Sequence, residues 1–447
     1  MPRGFARLRP EGPAQASGAR AREARSTVTE ALRREGGELA MESVPLSEVA
    51  RRFGTPCYVY SRAAIEAAFR EFDEGLGPVD HLVCYAVKAN SNLAVLDVLA
   101  RLGAGFDIVS GGELARVLAA GGAAHRVIFS GVGKSEAEMA AALSAGIHCF
   151  NVESEPELER LDALARAAGV RAPVSLRINP DVDARTHPYI STGLAANKFG
   201  IPFGRALDVY RRAATMANIE TIGIGCHIGS QILETAPLDQ ALDRVLELAN
   251  ALASEDVRLK HVDLGGGFGI RYRDENPPDI RAYCARLAER LRPTGLRVML
   301  EPGRAIAGPA GVLLTRVEYL KLDKARRFAV VDASMSELIR PALYESWHEI
   351  VAVVERGGKP RRYDVVGPVC ESADVLGTDR PLVIETGDLL AILSAGAYGM
   401  SMASNYNSRP RPAEVLVDGD SALEVRSRES VQSLFELEKR LDDARAR

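Results

Sequence analysis

No apolar run in this chain of 447 residues approaches the roughly 18 residues that a bilayer crossing requires, so no membrane span is expected. Charge is equally uninformative about partners: the formal net value is −4, and no dense basic stripe carries interleaved aromatics, which argues against nucleic acid. The six cysteines, Cys57, Cys84, Cys149, Cys226, Cys284 and Cys370, form no C-x-x-C pair and no Cys/His spacing of the zinc type. No metal is expected from them, and reduced thiols fit a cytoplasmic protein. The arginine- and alanine-rich start lacks the continuous apolar core of a secretory signal, and Glu11, Glu23, Glu30 and Glu35 disfavour a transit peptide. Residues 1–36 therefore read as a disordered extension, or as sequence upstream of the true start.

What is present is the composition of a large globular protein, 47% hydrophobic and 26% charged. A segment over 37–60 contains a short helix around Val49–Phe53, stopped by Gly54-Thr55-Pro56, and a strand Cys57-Tyr58-Val59-Tyr60. From there to residue 308, short β-rich runs end near Lys88, Ser110, Ser130, Asn151, Asn179, His227, Gly265 and Glu301, most of them separated by helical patterns. Eight such alternations predict a (β/α)8 barrel over 61–308, because an open doubly wound sheet usually breaks the series earlier. Over 309–425 the runs become strands with little helix between them, predicting a C-terminal, mostly antiparallel β domain; 426–447 reads as a peripheral helix. The fold class is thus α/β, a TIM-like barrel plus a β domain.

In such a barrel the carboxyl ends of the strands share one face, where chemistry is done. Here they bring Lys88, Asp107, Ser130, Asn151, Arg177, His227, the Gly265-Gly266-Gly267 turn and Glu301 together. A lysine in that place is either a structural ion-pair partner or a Schiff-base amine made nucleophilic by its surroundings. The glycine turn is either a tight bend or an anion nest, since amides without Cβ neighbours can approach a phosphate. Glu301 in Glu301-Pro302-Gly303-Arg304 suits a pyridinium partner, and Arg304 suits a carboxylate or phosphate; a plain Glu301–Arg304 ion pair is the bland alternative. His227 offers a flat ring to stack on a cofactor, and Ser230 a further phosphate ligand. In the β domain, Cys370-Glu371 is either a buried thiol beside a solvated acid or a proton donor beside a substrate-reading carboxylate. Arg340, Tyr344 and Tyr398 add groups suited to carboxylate and phosphate.

Taken together, Tyr85-Ala86-Val87-Lys88-Ala89-Asn90, Phe106 to Leu114, Thr186 to Gly193, Asn197 to Gly200, His227 to Gln231, Glu301 to Arg304, Ile339 to Tyr344 and Cys370-Glu371-Ser372 stand in one order. From about Glu38 to about Tyr406 the chain resembles the barrel-type pyridoxal-phosphate-dependent amino-acid decarboxylases. The resemblance implies pyridoxal 5'-phosphate as cofactor and Lys88 as the residue that carries it. Asp107, His227, Ser230, Gly265, Gly266, Gly267, Glu301, Gly303, Arg304 and Tyr398 would surround it. Arg304, Arg340, Tyr344, Glu371 and Tyr398 would line the substrate site, and Cys370 would be the proton donor. It further implies a homodimer with shared active sites, in which the Cys370 loop reaches the partner's cofactor, and a small amino-acid substrate.

A substrate with a distal amine and a distal carboxylate, meso-diaminopimelate, fits Glu371 with Arg304 and Arg340; ornithine, lysine or arginine would leave Arg340 without a role. A non-catalytic relative that binds pyridoxal phosphate would be expected to lack Lys88 or Cys370, and both are present. The one departure from the family pattern, Ala373 where glycine or serine is expected, touches only local loop geometry.

Overall fold

A computed structural model of the chain describes residues 31–183, 198–323 and 326–445. Eight parallel strands close into a barrel: His81–Ala86, Gly105–Ile108, Val127–Phe129, Cys149–Val152, Ala172–Asn179, Ile219–Gly225, His261–Asp263 and Arg297–Leu300. The last pairs with the first (Met299 with Leu82), and Phe150 pairs with Val174 to complete the ring. These strands are short aliphatic and aromatic runs buried on both faces, as strands under a jacket of helices must be. A two-residue strand, Ile201–Pro202, adds to the edge of Ala172–Asn179.

Helix starts follow directly from the sequence. Ser110, Ser135 and Ser154 each accept a hydrogen bond from a backbone N–H three residues on, satisfying an otherwise orphaned donor. Ser135 and Glu138 form a full capping box. Ser110 is thus a helix cap and not the end of a strand, which stops at Ile108. Asn92 caps the helix Leu93–Arg101, its side chain accepting from the Ala94 amide.

The second sheet is mostly antiparallel and is built on the twelve-residue strand Gly311–Leu322. Strand Cys57–Ser61 inserts between it and Ala413–Asp418, antiparallel to the former and parallel to the latter. Chain ends far apart in sequence are thereby joined in one layer. Leu39, Met41, Leu46 and Val49 pack with Val59, Val312, Val353 and Val415 into a single apolar cluster, which ties the first described segment to this sheet.

Two expectations are corrected. Strand Leu32–Glu35 pairs with Glu38–Met41 inside the stretch read as a disordered extension, because Leu32 is buried and the ladder absorbs its backbone. At the other end, among the described residues, α-helix is limited to Leu441–Arg445, with a single 3-10 turn at Gln432–Leu434, and residue 426 still belongs to the strand Ser421–Arg426. The Thr186–Gly193 motif and Asn197 lie outside the described residues.

Candidate active site

Strand His81–Ala86 runs into a single 3-10 turn, Val87–Ala89, so Lys88 stands one turn beyond the strand end. Its Nζ donates to Asp107 Oδ2 at 2.6 Å from the neighbouring strand. Asp107 is fully buried and its Oδ1 has no hydrogen-bond partner among the described residues. Burial pushes the Lys88 amine down, but Asp107, then Glu301 and Tyr398, outweigh it, and the net displacement is upward. The amine therefore rests as an ammonium on the Asp107 carboxylate.

Below it lies a layer of acids. Glu301 Oε1 accepts from Asn151 Nδ2 at 3.2 Å and from Ser130 Oγ at 3.4 Å. Asp263 accepts from Asn151 Nδ2 at 3.3 Å and from the Gly265 amide at 2.9 Å. Burial, followed by Asp107 and Asp263, pushes Glu301 well above the ordinary carboxyl range. The cause is the convergence of three acids on one strand-end layer, where burial and neighbouring carboxyl groups disfavour the charged form.

The glycine turn exists because side chains do not fit. A Cβ on Gly266 would lie 2.0 Å from the Glu301 carbonyl oxygen, and Gly267 sits at φ +91° with the Gly229 carbonyl oxygen 2.1 Å from where its Cβ would be. The Gly266 amide donates to His227 Nδ1 at 3.1 Å, so a neutral His227 carries its proton on Nε2. Burial, with Arg177 and Lys88 nearby, lowers His227 well below its ordinary value, and the ring is uncharged.

Arg304 closes the same corner. Its Nη2 donates to Ser230 Oγ at 3.0 Å and its Nη1 to the Tyr272 hydroxyl at 2.7 Å, while its Nε has no hydrogen-bond partner among the described residues. The guanidinium lies 4.7 Å from the Tyr398 ring centroid. Tyr398 is held in left-handed backbone at φ +55°, its amide bonded to the Ala89 carbonyl at 2.8 Å, and Asn90 Nδ2 donates to the Gly396 carbonyl at 3.0 Å. The β domain thus grips the turn that carries Lys88. Gly303 permits the close approach, since a Cβ there would meet Ala86 Cβ at 2.9 Å.

These groups border a cavity of about 450 Å³ whose far wall comes from the β domain and includes Arg340, Tyr344, Ser346 and Trp347. Arg340 Nη1 bonds His348 Nε2 at 2.9 Å, and its Nη2 donates to Ser346 Oγ at 3.3 Å. His348 Nδ1 faces the Leu393 carbonyl oxygen at 2.9 Å and must be the protonated nitrogen, which leaves Nε2 as an acceptor. Burial and the Arg340 charge bring His348 down to about 3, so the ring orients Arg340 without adding charge.

Two expected residues are not brought in. Cys370 and Glu371 are exposed and do not line this cavity. Their loop is pinned elsewhere: Asp374 accepts from the Val369 and Met335 amides, Asn407 accepts from the Cys370 amide at 3.3 Å, and the Tyr406 hydroxyl donates to Glu371 at 2.5 Å. Sequence reasoning missed Tyr272, His348 and Trp347, which carry no local signal. Asp263 was findable, since it ends the strand that leads into the glycine turn. Ser130 and Asn151 were recognised only as polar strand ends.

The residues fit pyridoxal phosphate. Arg304 keeps an Nε unpaired among the described residues and bonds Ser230 through Nη2, a donor set suited to a dianion; Glu301 and an uncharged His227 ring face the same cavity as the lysine.

The profile of the family described as pyridoxal-dependent decarboxylase, pyridoxal binding domain, matches residues 62–308. Diaminopimelate decarboxylase of Pseudomonas fluorescens is 60% identical over 401 residues, covering 90% of this chain and 96% of that protein. Its counterpart in Vibrio cholerae serotype O1 is 58% identical over 405 residues, with 90% and 97% covered. Among solved structures, diaminopimelate decarboxylase from Helicobacter pylori complexed with L-lysine superposes with a TM-score of 0.85 at 41% identity, covering 88% of this chain and 99% of that one.

Proposed function

Because the chain belongs to the pyridoxal-dependent decarboxylases and, among them, to the diaminopimelate decarboxylases, we infer that its cavity converts meso-2,6-diaminopimelate to L-lysine and CO2. The observation that carries this reading is the joint lining of one cavity by Lys88, Glu301, Arg304 and Arg340. When bound, pyridoxal phosphate supplies the electron sink for the pair left behind as the α-carboxylate departs.

The chain supplies the rest. Lys88 Nζ would carry the cofactor, its extra proton leaving along the hydrogen bond to Asp107 Oδ2. Ser230, Arg304 and Tyr398 would take the phosphate, with the Gly265-Gly266-Gly267 turn beside it. Glu301 would pair with the ring nitrogen, and His227 would offer its flat ring to the cofactor. Arg340, fixed in orientation by His348 and Ser346, reads the distal carboxylate through its fork of donors.

Cys370 Sγ delivers the proton to Cα after CO2 has left. Since Cys370 does not line the cavity of its own chain, we assign this step to the Cys370 loop of a second copy, with Glu371 beside it to take the distal amine. The active form is then a homodimer with shared sites. We also place the enzyme in the cytoplasm, on the strength of its unpaired cysteines; among the described residues no helix is long and apolar enough to cross a membrane.

Borohydride treatment of the cofactor-loaded enzyme followed by peptide mapping tests the central assignment. The cofactor mass is expected on the peptide containing Lys88, and the Lys88→Ala variant should neither retain the mass nor turn over substrate. Attachment at another lysine, or normal turnover by the variant, would refute it.

A further inference from the structure

At the amino-terminal side of the barrel interior, away from the cofactor, His148 immediately precedes the fourth barrel strand, Cys149 begins it and His261 begins the seventh. Strand side chains alternate with period two, so Cys149 faces the same way as Asn151, and His261 the same way as Asp263. Asn151 and Asp263 are hydrogen-bonded across the barrel at 3.3 Å, which puts Cys149 and His261 inside it, one layer lower. Cys149 Sγ lies 4.0 Å from His261 Nε2, and one potential ligand atom from each of the three residues falls within 4.8 Å of the others.

Two observations point to a ligand rather than to filler. His261 is 1% exposed, yet its Nδ1 has no hydrogen-bond partner among the described residues, and neither has the buried Nε2 of His148. Buried polar atoms are normally paired, so two imidazoles that each keep an orphaned nitrogen, gathered around one thiol, form an unusual grouping. The site is also shaped around the ring. A Cβ on Gly223 would stand 2.0 Å from His261 Nε2, so glycine at that position makes room for the imidazole.

We propose that His148, Cys149 and His261 bind a thiophilic d10 cation of the zinc class. A thiol with two imidazoles selects borderline and soft ions over magnesium or calcium, which want oxygen ligands. The surrounding cluster includes Leu82, Cys84, Ile128 and Met299, a dry and sulfur-rich wall. On binding, Cys149 Sγ gives up its proton to solvent and donates an electron pair to the ion, while both imidazoles donate neutral lone pairs. Zinc–ligand bonds of about 2.0–2.3 Å draw the three atoms together through small side-chain rotations. Half-buried His148 marks the route in. The separation of 112 residues between Cys149 and His261 hides the set from any motif search.

Calorimetric titration of Zn2+ into cofactor-loaded, chelator-treated enzyme tests this, with gel filtration and metal analysis for stoichiometry. The parent and a Cys370→Ala variant, which lacks the exposed thiol, should each bind one equivalent per chain. Cys149→Ala and His148→Ala should each weaken binding at least about 10-fold. His148→Ala alters a half-exposed position and decides the matter if Cys149→Ala does not fold. No zinc bound by the parent, loss of the equivalent in Cys370→Ala, or parent-like affinity in His148→Ala would overturn the proposal.

Discussion

On the proposed assignment Lys88 and Arg340 would divide the labour between the barrel and the β domain, one anchoring the cofactor and the other choosing the substrate. Arg340 is buried, but its ordering partners His348 and Ser346 are uncharged, so its positive charge is left for a ligand carboxylate. A charge-assisted bidentate contact contributes about 1.5–3 kcal/mol per hydrogen bond. Arg340→Ala should therefore raise KM for diaminopimelate by at least about 10-fold. Because the contact lies far from Cα, kcat should fall much less. Steady-state kinetics checks this, and a KM unchanged within error would mean that another cation reads the distal end. Tyr272 belongs to the same scale: it meets Arg304 through its hydroxyl and the Arg340 guanidinium through its ring, at 4.5 Å. No neighbouring residue in the sequence announces it, because its role depends on two arginines brought from other elements.

Strand ends and turns do the positioning. The turn after strand His261–Asp263 threads between Glu301, His227 and Gly229, and its tightest point is Gly266. Gly266→Ala puts a methyl against backbone that cannot swing aside, an overpacking expected to cost about 1–3 kcal/mol and to displace Glu301. A lower Tm together with weakened cofactor retention, read from the protein's visible absorbance, is the expected result; parent values for both would show that the turn relaxes.

This scale was also the most legible in the sequence. Each barrel strand is a short aliphatic run whose polar end marks the active face, and the serine caps that follow are local signals. Strand Leu32–Glu35 was not legible, since Arg33, Arg34 and Glu35 read as solvent and only the ladder to Glu38–Met41 makes them β. The helix expected over 426–447 failed for the opposite reason. Its charged sequence permits helix, but Leu437 is 92% exposed and nothing packs on that segment to hold one.

At the level of the whole molecule, one chain displays Lys88 in its cavity and Cys370 on its surface. If the active site is completed by a second copy, two inactive variants should rescue each other. In a mixed dimer of Lys88→Ala with Cys370→Ala, one site pairs the intact lysine with the intact cysteine and the other has neither. Random reassortment of equal amounts should thus restore about a quarter of parent activity, by the symmetry of a two-fold dimer. Activity that stays at the level of the separate variants would place both groups in one chain. Cys370 and Glu371 could be named from sequence motifs, whereas a single chain keeps both on its surface, outside its own cavity.

The most direct measurement is CO2 release by the cofactor-loaded enzyme from meso-diaminopimelate, lysine, ornithine and arginine compared side by side. Diaminopimelate should be decarboxylated, with lysine as product, and the three substrates without a distal carboxylate should give little or no CO2. Comparable release from ornithine, lysine or arginine would contradict the assignment of Arg340 and with it the proposed reaction.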